Sequence, residues 1–378
     1  MGVRLLFCGV LLDGPKRLAK RPAIAYWDVN MTKLSDSRPF EVNRRRFLRR
    51  SFAFSALTAL GSFSSHASGM PFDPEDAELL MVGDWGADED YSAQSNVAAG
   101  MRQYARRRHL GIQALLMLGD NWYGYLEGGG QSSRWQTQFE QMYPATDFDC
   151  PAYAVLGNHD YQIAPINKVD AELEYARSGK SRFTMPSRWY SFQLPTRNPL
   201  ITFIALDSNV PEGDGAGGRE PGTDRHGFTT MTPDQKTEQL RWLEAELGKP
   251  RSTPFLAVLA HHPMYSDGPH GDHATLIQDW DPLFRKYGVH LYLAGHDHDL
   301  QHLELESHPT SFFLSGGGGS GIYNLKISPA HRGPYAQKVY GFSHLSVTKK
   351  HMTLRHLDSE GHILHSFRKS KDGEVTIL

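Results

Sequence analysis

Five apolar segments of the chain are each followed at once by side chains that can bind a metal ion. The motifs that follow these segments are GDWG at 83–86, GDNWY at 119–123, GNHD at 157–160, HHP at 261–263 and GHDHDLQH at 295–302. Each segment is typical of a buried strand, and the carboxyl ends of parallel strands converge on a ligand-binding crevice. One such motif alone is more typical of a turn or a surface histidine. Five together predict a metal site, and oxygen and imidazole ligands without thiolate favour Fe, Zn or Mn.

Strands and helices alternate up to about residue 295, and further strands follow from about residue 311. The helical patterns cover 92–108, 134–143, 232–247 and 274–288. The pattern at 232–247 opens with Thr-Pro-Asp, a helix start signal. Alternation followed by a run of strands predicts a mixed α/β protein with two packed sheets.

The composition permits a large core and restricts the metal chemistry. The chain has 378 residues, 39% of them hydrophobic, which is enough for one large core or two domains. Its two cysteines, Cys8 and Cys150, exclude a disulfide framework and a Cys-type zinc site. Its 19 histidines leave room for imidazole ligands.

The first 67 residues have the layout of an export signal: a basic stretch, an uncharged apolar run and then small residues. The apolar run is too short to span a bilayer. Arg44-Arg45 before Phe47-Leu48 is similar to the twin-arginine signal, and Ala67 offers a cleavage point. A short basic helix in the mature fold is the alternative. Because about 43 residues precede the signal, Met31 is a candidate start.

We therefore expect an export segment at 1–67 and a catalytic domain at 68–378. The protein would be exported, periplasmic or secreted, with no stable membrane anchor. The export segment holds 12 of the 40 basic and 4 of the 42 acidic residues, so the remainder has a formal charge of −10. Nucleic acid is excluded as a partner, because a phosphate backbone demands a basic face.

The order of the five motifs and the residues in each resemble those of the binuclear metallophosphatases. With its tyrosine, GDNWY is similar to the GDxxY motif of the purple acid phosphatases of the small, tartrate-resistant type, and the resemblance extends over most of 77–360. It implies a four-layer αββα fold, a double β-sandwich flanked by helices. It also implies an acid phosphatase that hydrolyses phosphate monoesters by attack of a metal-bound hydroxide.

The resemblance implies two metal ions and seven ligands. Fe(III) would be bound by Asp84, Tyr123 and His298. A divalent ion, Fe(II), Zn or Mn, would be bound by Asn158, His261 and His296. Asp120 would bridge the two ions. Asp84, Asp120 and a phenolate contribute three negative charges against five positive ones, and the surplus suits an anionic substrate.

Tyr123 then has a role that a turn would not give it. A free phenol has a pKa of about 10 and is neutral in acid. Bound to Fe(III) it loses its proton, because the ion dominates the local pKa. The resulting phenolate favours ferric iron and should colour the protein. The alternative is a tyrosine that packs at the base of a loop.

The resemblance also implies two catalytic histidines, His159 and His270, close to the substrate phosphate. A protonated imidazole there could protonate the leaving group. The alternative for each is a histidine that only orients ligands. We expect Asp160 to orient a neighbouring histidine, whereas His262 and His302 have no matched role. The segment LSGGGGSG at 314–321 is either a loop near the metals or a tight turn, but not a phosphate-binding P-loop.

The expected substrates are small phosphate esters, with phosphoproteins as a further class. Two rival functions remain: a phosphodiesterase of the same superfamily and a non-catalytic iron- or phosphate-binding protein. The long aperiodic stretch at 208–230, rich in Gly, Pro and charge, predicts a loop. We expect it to act as a lid over the site, with a solvated surface insert as the alternative.

Overall fold

Two β-sheets carry the five motifs in the computed structural model, which describes residues 76–162, 168–211, 229–326 and 332–378. The expected export segment and most of the expected lid lie outside these ranges. The described part has fifteen strands, with bounds β1 Ala77–Val82, β2 Ile112–Met117, β3 Ala152–Ala154, β4 Phe183–Thr184, β5 Tyr190–Leu194, β6 Ile201–Ala205, β7 Phe255–Leu259, β8 Leu291–Ala294, β9 Leu300–Glu304, β10 Ser311–Ser315, β11 Tyr335–Gln337, β12 Gly341–Val347, β13 His351–Asp358, β14 Ile363–Ser370 and β15 Val375–Ile377.

The eight-stranded sheet has the order β15-β14-β13-β12-β1-β2-β3-β4. Strands β1 to β4 are parallel, and β12 to β15 add an antiparallel half. The seven-stranded sheet has the order β11-β9-β10-β8-β7-β6-β5, with β6, β7, β8 and β10 parallel. Strand β7, FLAVL, is buried along its whole length, as expected of a parallel strand covered on both faces.

The two sheets pack face to face through apolar and aromatic side chains. Tyr153 of the first sheet stacks on Phe192 of the second at 3.7 Å between ring centroids. Phe313 of the second stacks on His356 of the first at 3.8 Å. The mixed α/β fold with two packed sheets is therefore confirmed.

Within the described residues, four α-helices have the bounds α1 Ser92–Arg108, α2 Lys168–Arg177, α3 Pro233–Leu247 and α4 Ala274–Tyr287. Thr232 caps α3 in a reciprocal capping box with Gln235, as the Thr-Pro-Asp start predicts. Leu243 of α3 and Trp280 of α4 belong to a second apolar cluster with Val258 of β7. The expected helix at 134–143 is instead a π-helical segment at Trp135–Glu140. Across the described ranges, no helix combines the length and apolarity needed to cross a bilayer.

Candidate metal centre

The loops after β1, β2, β3, β7 and β8 meet at one edge of the sandwich. The first three strands belong to one sheet and the last two to the other. Backbone hydrogen bonds join neighbouring loops of each sheet: Asp84 N–H donates to Gly119 O at 3.0 Å, and Gly295 N–H donates to His261 O at 2.9 Å. Across the sheets, His296 N–H donates to Asp84 Oδ2 at 2.8 Å. All seven predicted ligands therefore lie together, and each is less than one-tenth exposed except Tyr123, which is partly buried.

The first donor group contains Asp84, Tyr123 and His298, with one oxygen of Asp120. Tyr123 Oη lies 3.2 Å from Asp84 Oδ1, 2.8 Å from Asp120 Oδ2 and 3.0 Å from His298 Nε2. His298 Nε2 lies 3.3 Å from Asp84 Oδ1. Burial, followed by the charges of Asp120 and Asp84, raises the pKa of the Tyr123 phenol well above its usual value. Only a cation in this group would make a phenolate stable here.

The second donor group contains Asn158, His261 and His296, with the other oxygen of Asp120. Asn158 Oδ1 lies 3.1 Å from His261 Nε2 and 3.0 Å from His296 Nδ1, and the two nitrogens are 3.2 Å apart. Asp120 Oδ1 lies 3.4 Å from His261 Nε2. The two oxygens of Asp120 are thus divided between the two groups.

The chemistry of these donors fits bound cations. His261 Nδ1 lies 2.9 Å from Leu118 O, a carbonyl that can only accept, so Nδ1 carries the proton of a neutral ring. The lone pair of Nε2 then faces the oxygens of Asn158 and Asp120, which are acceptors as well. Ligand atoms about 2.0–2.2 Å from one ion lie roughly 3.0–3.5 Å from each other, as these atoms do.

A proton and a metal ion would compete for the imidazole nitrogens of the second donor group. Burial lowers the pKa of His261, but the charge and hydrogen bond of Asp120 outweigh burial and raise it to about 9. Burial also lowers the pKa of His296 well below its usual value. A protonated His261 would cover the acceptors that a metal ion would otherwise cover, because histidine binds metal only when deprotonated.

Three of the predicted ligands have left-handed backbone, a conformation that side chains rarely adopt. The φ angles are 60° at Asp84, 49° at Asp120 and 71° at His296. Such conformations cost on the order of 1–3 kcal/mol each and cluster at functional sites. Close packing adds a further demand, since a Cβ on Gly157 would lie 2.2 Å from Asp120 Oδ1 and one on Gly295 would lie 2.5 Å from Asp84 Oδ2.

Asp160 does not orient a histidine through any bond to an imidazole. Its Oδ2 accepts the backbone N–H groups of Gly157 at 2.8 Å and Asn121 at 3.1 Å, and its Oδ1 accepts that of Trp122 at 2.9 Å. It therefore ties the GNHD loop to the GDNWY loop. The expectation for Asp160 was wrong, because one buried carboxylate can accept several backbone N–H groups that the sequence does not display.

His262 lies next to the second donor group. Its ring nitrogens come within ligand range of those of His261 and His296. However, its Nδ1 lies 2.9 Å from Ser208 Oγ, and its backbone N–H donates to the same oxygen at 2.8 Å. Ser208 thus holds His262 from the end of β6, whereas His261 faces Asn158 directly.

A cavity of about 210 Å³ opens beside the donors and is lined by Asp120, Asn158, His159, His270, His296, His298 and Tyr323. Both predicted catalytic histidines are therefore in its wall. The His159 ring packs 4.2 Å from the Tyr123 ring, and its Nδ1 lies 3.1 Å from Gln162 Oε1. His270 Nδ1 lies 2.5 Å from Asp297 Oδ1.

Two residues of this site were missed from the sequence, Tyr323 in the cavity wall and Asp297 behind it. Tyr323 stacks on His298 at 4.0 Å between ring centroids, with an angle of 11° between the ring planes. It follows the glycine-rich segment, and no pattern marks it. Asp297 stands between two predicted ligands in GHDHD, so its position was the only available signal. The glycine-rich segment itself lies against the metal loops, since Ser320 N–H donates to Asp84 O at 3.1 Å.

Comparison with known proteins agrees with this geometry. The sequence model of the calcineurin-like phosphoesterases matches residues 78–300. The chain belongs to the calcineurin-like phosphoesterase family, which confirms the predicted superfamily.

Curated relatives narrow the likeness within that family. The chain is 29% identical over 308 residues to human tartrate-resistant acid phosphatase type 5, across 77% of this chain and 90% of the relative. It is 28% identical over 302 residues to purple acid phosphatase 7 of Arabidopsis thaliana, across 78% of this chain and 86% of the relative. These relatives are named acid phosphatases, and the prediction of a hydrolase of the metallophosphoesterase superfamily is confirmed.

Solved structures share the fold at lower identity. GAP50 of Plasmodium, described as an anchor in the inner membrane complex, has a TM-score of 0.60 at 20% identity, covering 77% of this chain and 87% of that one. The purple acid phosphatase PPD1 of yellow lupin has a TM-score of 0.55 at 17% identity, covering 79% and 55%. The predicted metallophosphatase-type double sandwich is confirmed at the level of the fold.

Proposed function

We propose that this protein is a binuclear metal-dependent acid phosphatase that hydrolyses phosphate monoesters. The observation that supports this most is the division of the Asp120 carboxylate between two donor groups beside a cavity with two further imidazoles. One carboxylate oxygen is 2.8 Å from Tyr123 Oη and the other is 3.4 Å from His261 Nε2. Phosphoester hydrolysis is the activity of the family, and monoester preference and mechanism belong to this proposal.

The metal ligands are the seven residues predicted from the sequence. Asp84, Tyr123 and His298 would bind Fe(III), and Asn158, His261 and His296 would bind Fe(II), Zn or Mn, with Asp120 between the ions. Two such ions, when bound, would supply a hydroxide nucleophile and the positive charge that in-line displacement at phosphorus needs. The first group holds two anionic side chains of its own and the second holds none, which favours the more highly charged ion in the first.

His159 and His270 would act on the substrate directly. Both line the cavity, His159 beside the ring of Tyr123 and His270 beside that of His296, and neither belongs to a donor group. His159 would neutralise the bound phosphate. His270 would give a proton to the leaving oxygen as its bond to phosphorus breaks, which matters most when the leaving alcohol is weakly acidic.

The cavity favours small substrates. A volume of about 210 Å³ accommodates a phosphoryl group and leaves the rest of the ester at the mouth. Small phosphate esters are therefore the proposed substrates, and an exposed phosphorylated side chain of a protein is a further one. The export segment at 1–67 would deliver the domain at 68–378 to the periplasm or the medium.

Turnover of an aryl phosphate monoester and of the matching diester tests the proposal. We expect a higher kcat/KM for the monoester at acidic pH, lost on chelation and restored by metal. A higher value for the diester would replace monoesterase by phosphodiesterase. No turnover of either ester by the metal-loaded protein would favour a non-catalytic binder.

A further inference from the structure

Asp297 lies between two predicted ligands, His296 and His298, but its carboxylate contacts neither ring. Its Oδ1 lies 2.5 Å from His270 Nδ1 and accepts the backbone N–H of His270 at 3.4 Å. Asp297 is fully buried, whereas the side chain of His270 is 23% exposed. One buried carboxylate thus holds both the ring and the main chain of a residue in the cavity wall.

The other oxygen of Asp297 is fixed by Ser266. The Ser266 hydroxyl donates to Asp297 Oδ2. It accepts the backbone N–H of Gly268 at 2.9 Å and the amide of Gln301 at 3.0 Å. A hydroxyl has one proton and two lone pairs, so Ser266 is saturated and the carboxylate has one orientation.

Gly268 permits this close approach. A Cβ at this position would lie 2.4 Å from Asp297 Cγ, so the loop that carries His270 could not pack against the carboxylate with any other residue. On its outer side the loop is held by Arg332, which donates to Asp267 at 2.9 Å and to both oxygens of Asp272 at 2.6 and 2.8 Å. Ser266, Gly268 and Arg332 therefore all help to fix the contact between Asp297 and His270.

We propose that Asp297 is a positioning residue that fixes the orientation and the tautomer of His270. A carboxylate accepts a hydrogen bond, so the nearby Nδ1 carries a proton. Nε2 is then the nitrogen on the far side of the ring, and it is the nitrogen that the proposed acid role uses. As the bond from phosphorus to the leaving oxygen breaks, the proton on Nε2 of the imidazolium passes to that oxygen, and the ring becomes neutral with its proton on Nδ1.

This inference rests on the proposed phosphatase function and adds a residue that the sequence did not single out. The ring of His270 also packs 4.3 Å from that of His296 and 5.6 Å from that of Tyr323. Ring packing alone would permit a half-turn about the Cβ–Cγ bond, which places Cδ2 where Nδ1 lies and Cε1 where Nε2 lies. The Asp297 carboxylate removes that freedom, because only Nδ1–H satisfies it.

The test compares Asp297→Asn with His270→Ala on aryl and alkyl phosphates whose leaving groups differ in acidity. An amide can turn either its oxygen or its NH₂ towards the ring and so fixes no tautomer. We expect kcat/KM to fall about 10- to 100-fold for poor leaving groups and less than about threefold for good ones. The double variant should be no slower than His270→Ala. Asp149→Asn, the same change at an exposed carboxylate outside this loop, should keep the wild-type dependence on the leaving group.

A second readout does not depend on turnover. In zinc-loaded protein labelled with ¹⁵N-histidine, we expect His270, assigned by its absence in His270→Ala, to carry its proton on Nδ1. In Asp297→Asn the signal should shift towards a mixture of tautomers. If wild-type protein turned over no ester, the proposed function would fail while this measurement still judged the role of Asp297.

Gly268→Ala distinguishes a loss of His270 positioning from damage to the neighbouring metal ligands. It pushes the loop from Asp297 without changing residues 296–298, and should reproduce the leaving-group dependence of Asp297→Asn with full metal content. Equal losses for all esters in both variants, or an unchanged tautomer in Asp297→Asn, would overturn the inference. If Asp297→Asn lost its metal, the result with Gly268→Ala would decide.

Discussion

Two groups of buried histidines differ in how their ring nitrogens are partnered. The metal-centre histidines are His261, His296 and His298. The inter-sheet histidines are His302, His356 and His365, which lie between the two β-sheets on strands β9, β13 and β14. His296, His298 and His302 even share one motif, GHDHDLQH.

The inter-sheet histidines satisfy one another and their neighbours. His302 Nε2 lies 2.7 Å from Glu304 Oε1, and its Nδ1 lies 2.9 Å from His365 Nε2. Because Glu304 accepts, His302 carries its proton on Nε2, and its Nδ1 accepts the proton of His365. His356 is likewise bonded to Ser343 Oγ and to a backbone carbonyl, both at 2.9 Å.

The metal-centre histidines have no such match. The Nε2 lone pair of His261 faces Asn158 and Asp120, which offer more acceptors than the group has protons. Burial is complete or nearly so in both groups, so burial does not mark a ligand. A ligand is marked instead by an excess of acceptors over protons around its ring nitrogens. Both nitrogens of His302 have matched partners, so His302 has a structural role.

The largest effect should follow from Asp120→Asn. The change weakens both donor groups at once, so we expect less than one metal ion per chain and a loss of kcat/KM on the order of 10³-fold. Metal analysis and an aryl phosphate assay measure both. Asp149→Asn, an exposed carboxylate, is the control, and a variant that kept two metals and normal rates would contradict the bridging role.

Tyr123→Phe should abolish the visible charge-transfer band of iron-loaded protein while the fold survives. In the proposed centre a Tyr123 phenolate would be the source of that band, and phenylalanine keeps the ring that packs against His159. Tyr125→Phe, which changes an exposed phenol two residues later, should keep the colour. An unchanged spectrum in a metal-loaded Tyr123→Phe protein would remove Tyr123 from the ligand set.

Metal removal should affect the two histidine groups differently. A metal that binds only the folded state stabilises it by about 2.7 kcal/mol when its free concentration is 100 times Kd. Urea unfolding with and without chelator should show a difference of that order. His302→Phe should lower stability in both conditions and leave the difference between them unchanged. A smaller difference in that variant would show that the inter-sheet histidines are coupled to the metals.

The smallest effect should be a pH dependence of stability from the inter-sheet group. Burial, followed by the charge of His302, lowers the pKa of His365 to about 4. An unfolded histidine has a pKa of about 6.5, so the folded state resists protonation. Stability is therefore complete above about pH 6.5 and falls as the pH drops towards 4, by about 1–2 kcal/mol after allowance for solvent screening.

Unfolding measurements at several pH values test this expectation. His365 faces His302, His356 and Tyr335 at this interface, and Glu304 and Lys369 lie beyond His302. Glu304 and Lys369 keep their charge over most of this range. His365→Gln should flatten the slope between pH 6.5 and 4, and Ser366→Ala on the same strand should not. An equal slope in His365→Gln would assign the dependence to another group.

Much of the candidate site could be predicted because its signals are local. A strand is recognised by a few consecutive apolar residues, and a ligand by its place directly after them. All five predicted strands before the motifs exist, and all seven predicted ligands meet. The start of α3 was likewise visible in its Thr-Pro-Asp sequence, and Thr232 is the N-cap of the helix.

Other features depend on pairs of residues far apart in the chain. Asp160 was misjudged because its partners are backbone N–H groups, which every residue carries. The helix expected at 134–143 is a π-helical segment at Trp135–Glu140, and its fully buried Phe139 packs against Trp85 at 6.0 Å between ring centroids. Such packing contacts leave no periodic trace in the segment itself.

The sequence by itself determined the types of ligand, their order and their position after strands. Tertiary structure alone decided that β1, β2 and β3 join one sheet and β7 and β8 the other, so that the site lies at an edge shared by both. It also decided which ring nitrogen of each imidazole carries the proton. The physical reason is range: periodicity acts over a few residues, whereas a bond such as His296 N–H to Asp84 Oδ2, at 2.8 Å, joins residues 212 positions apart.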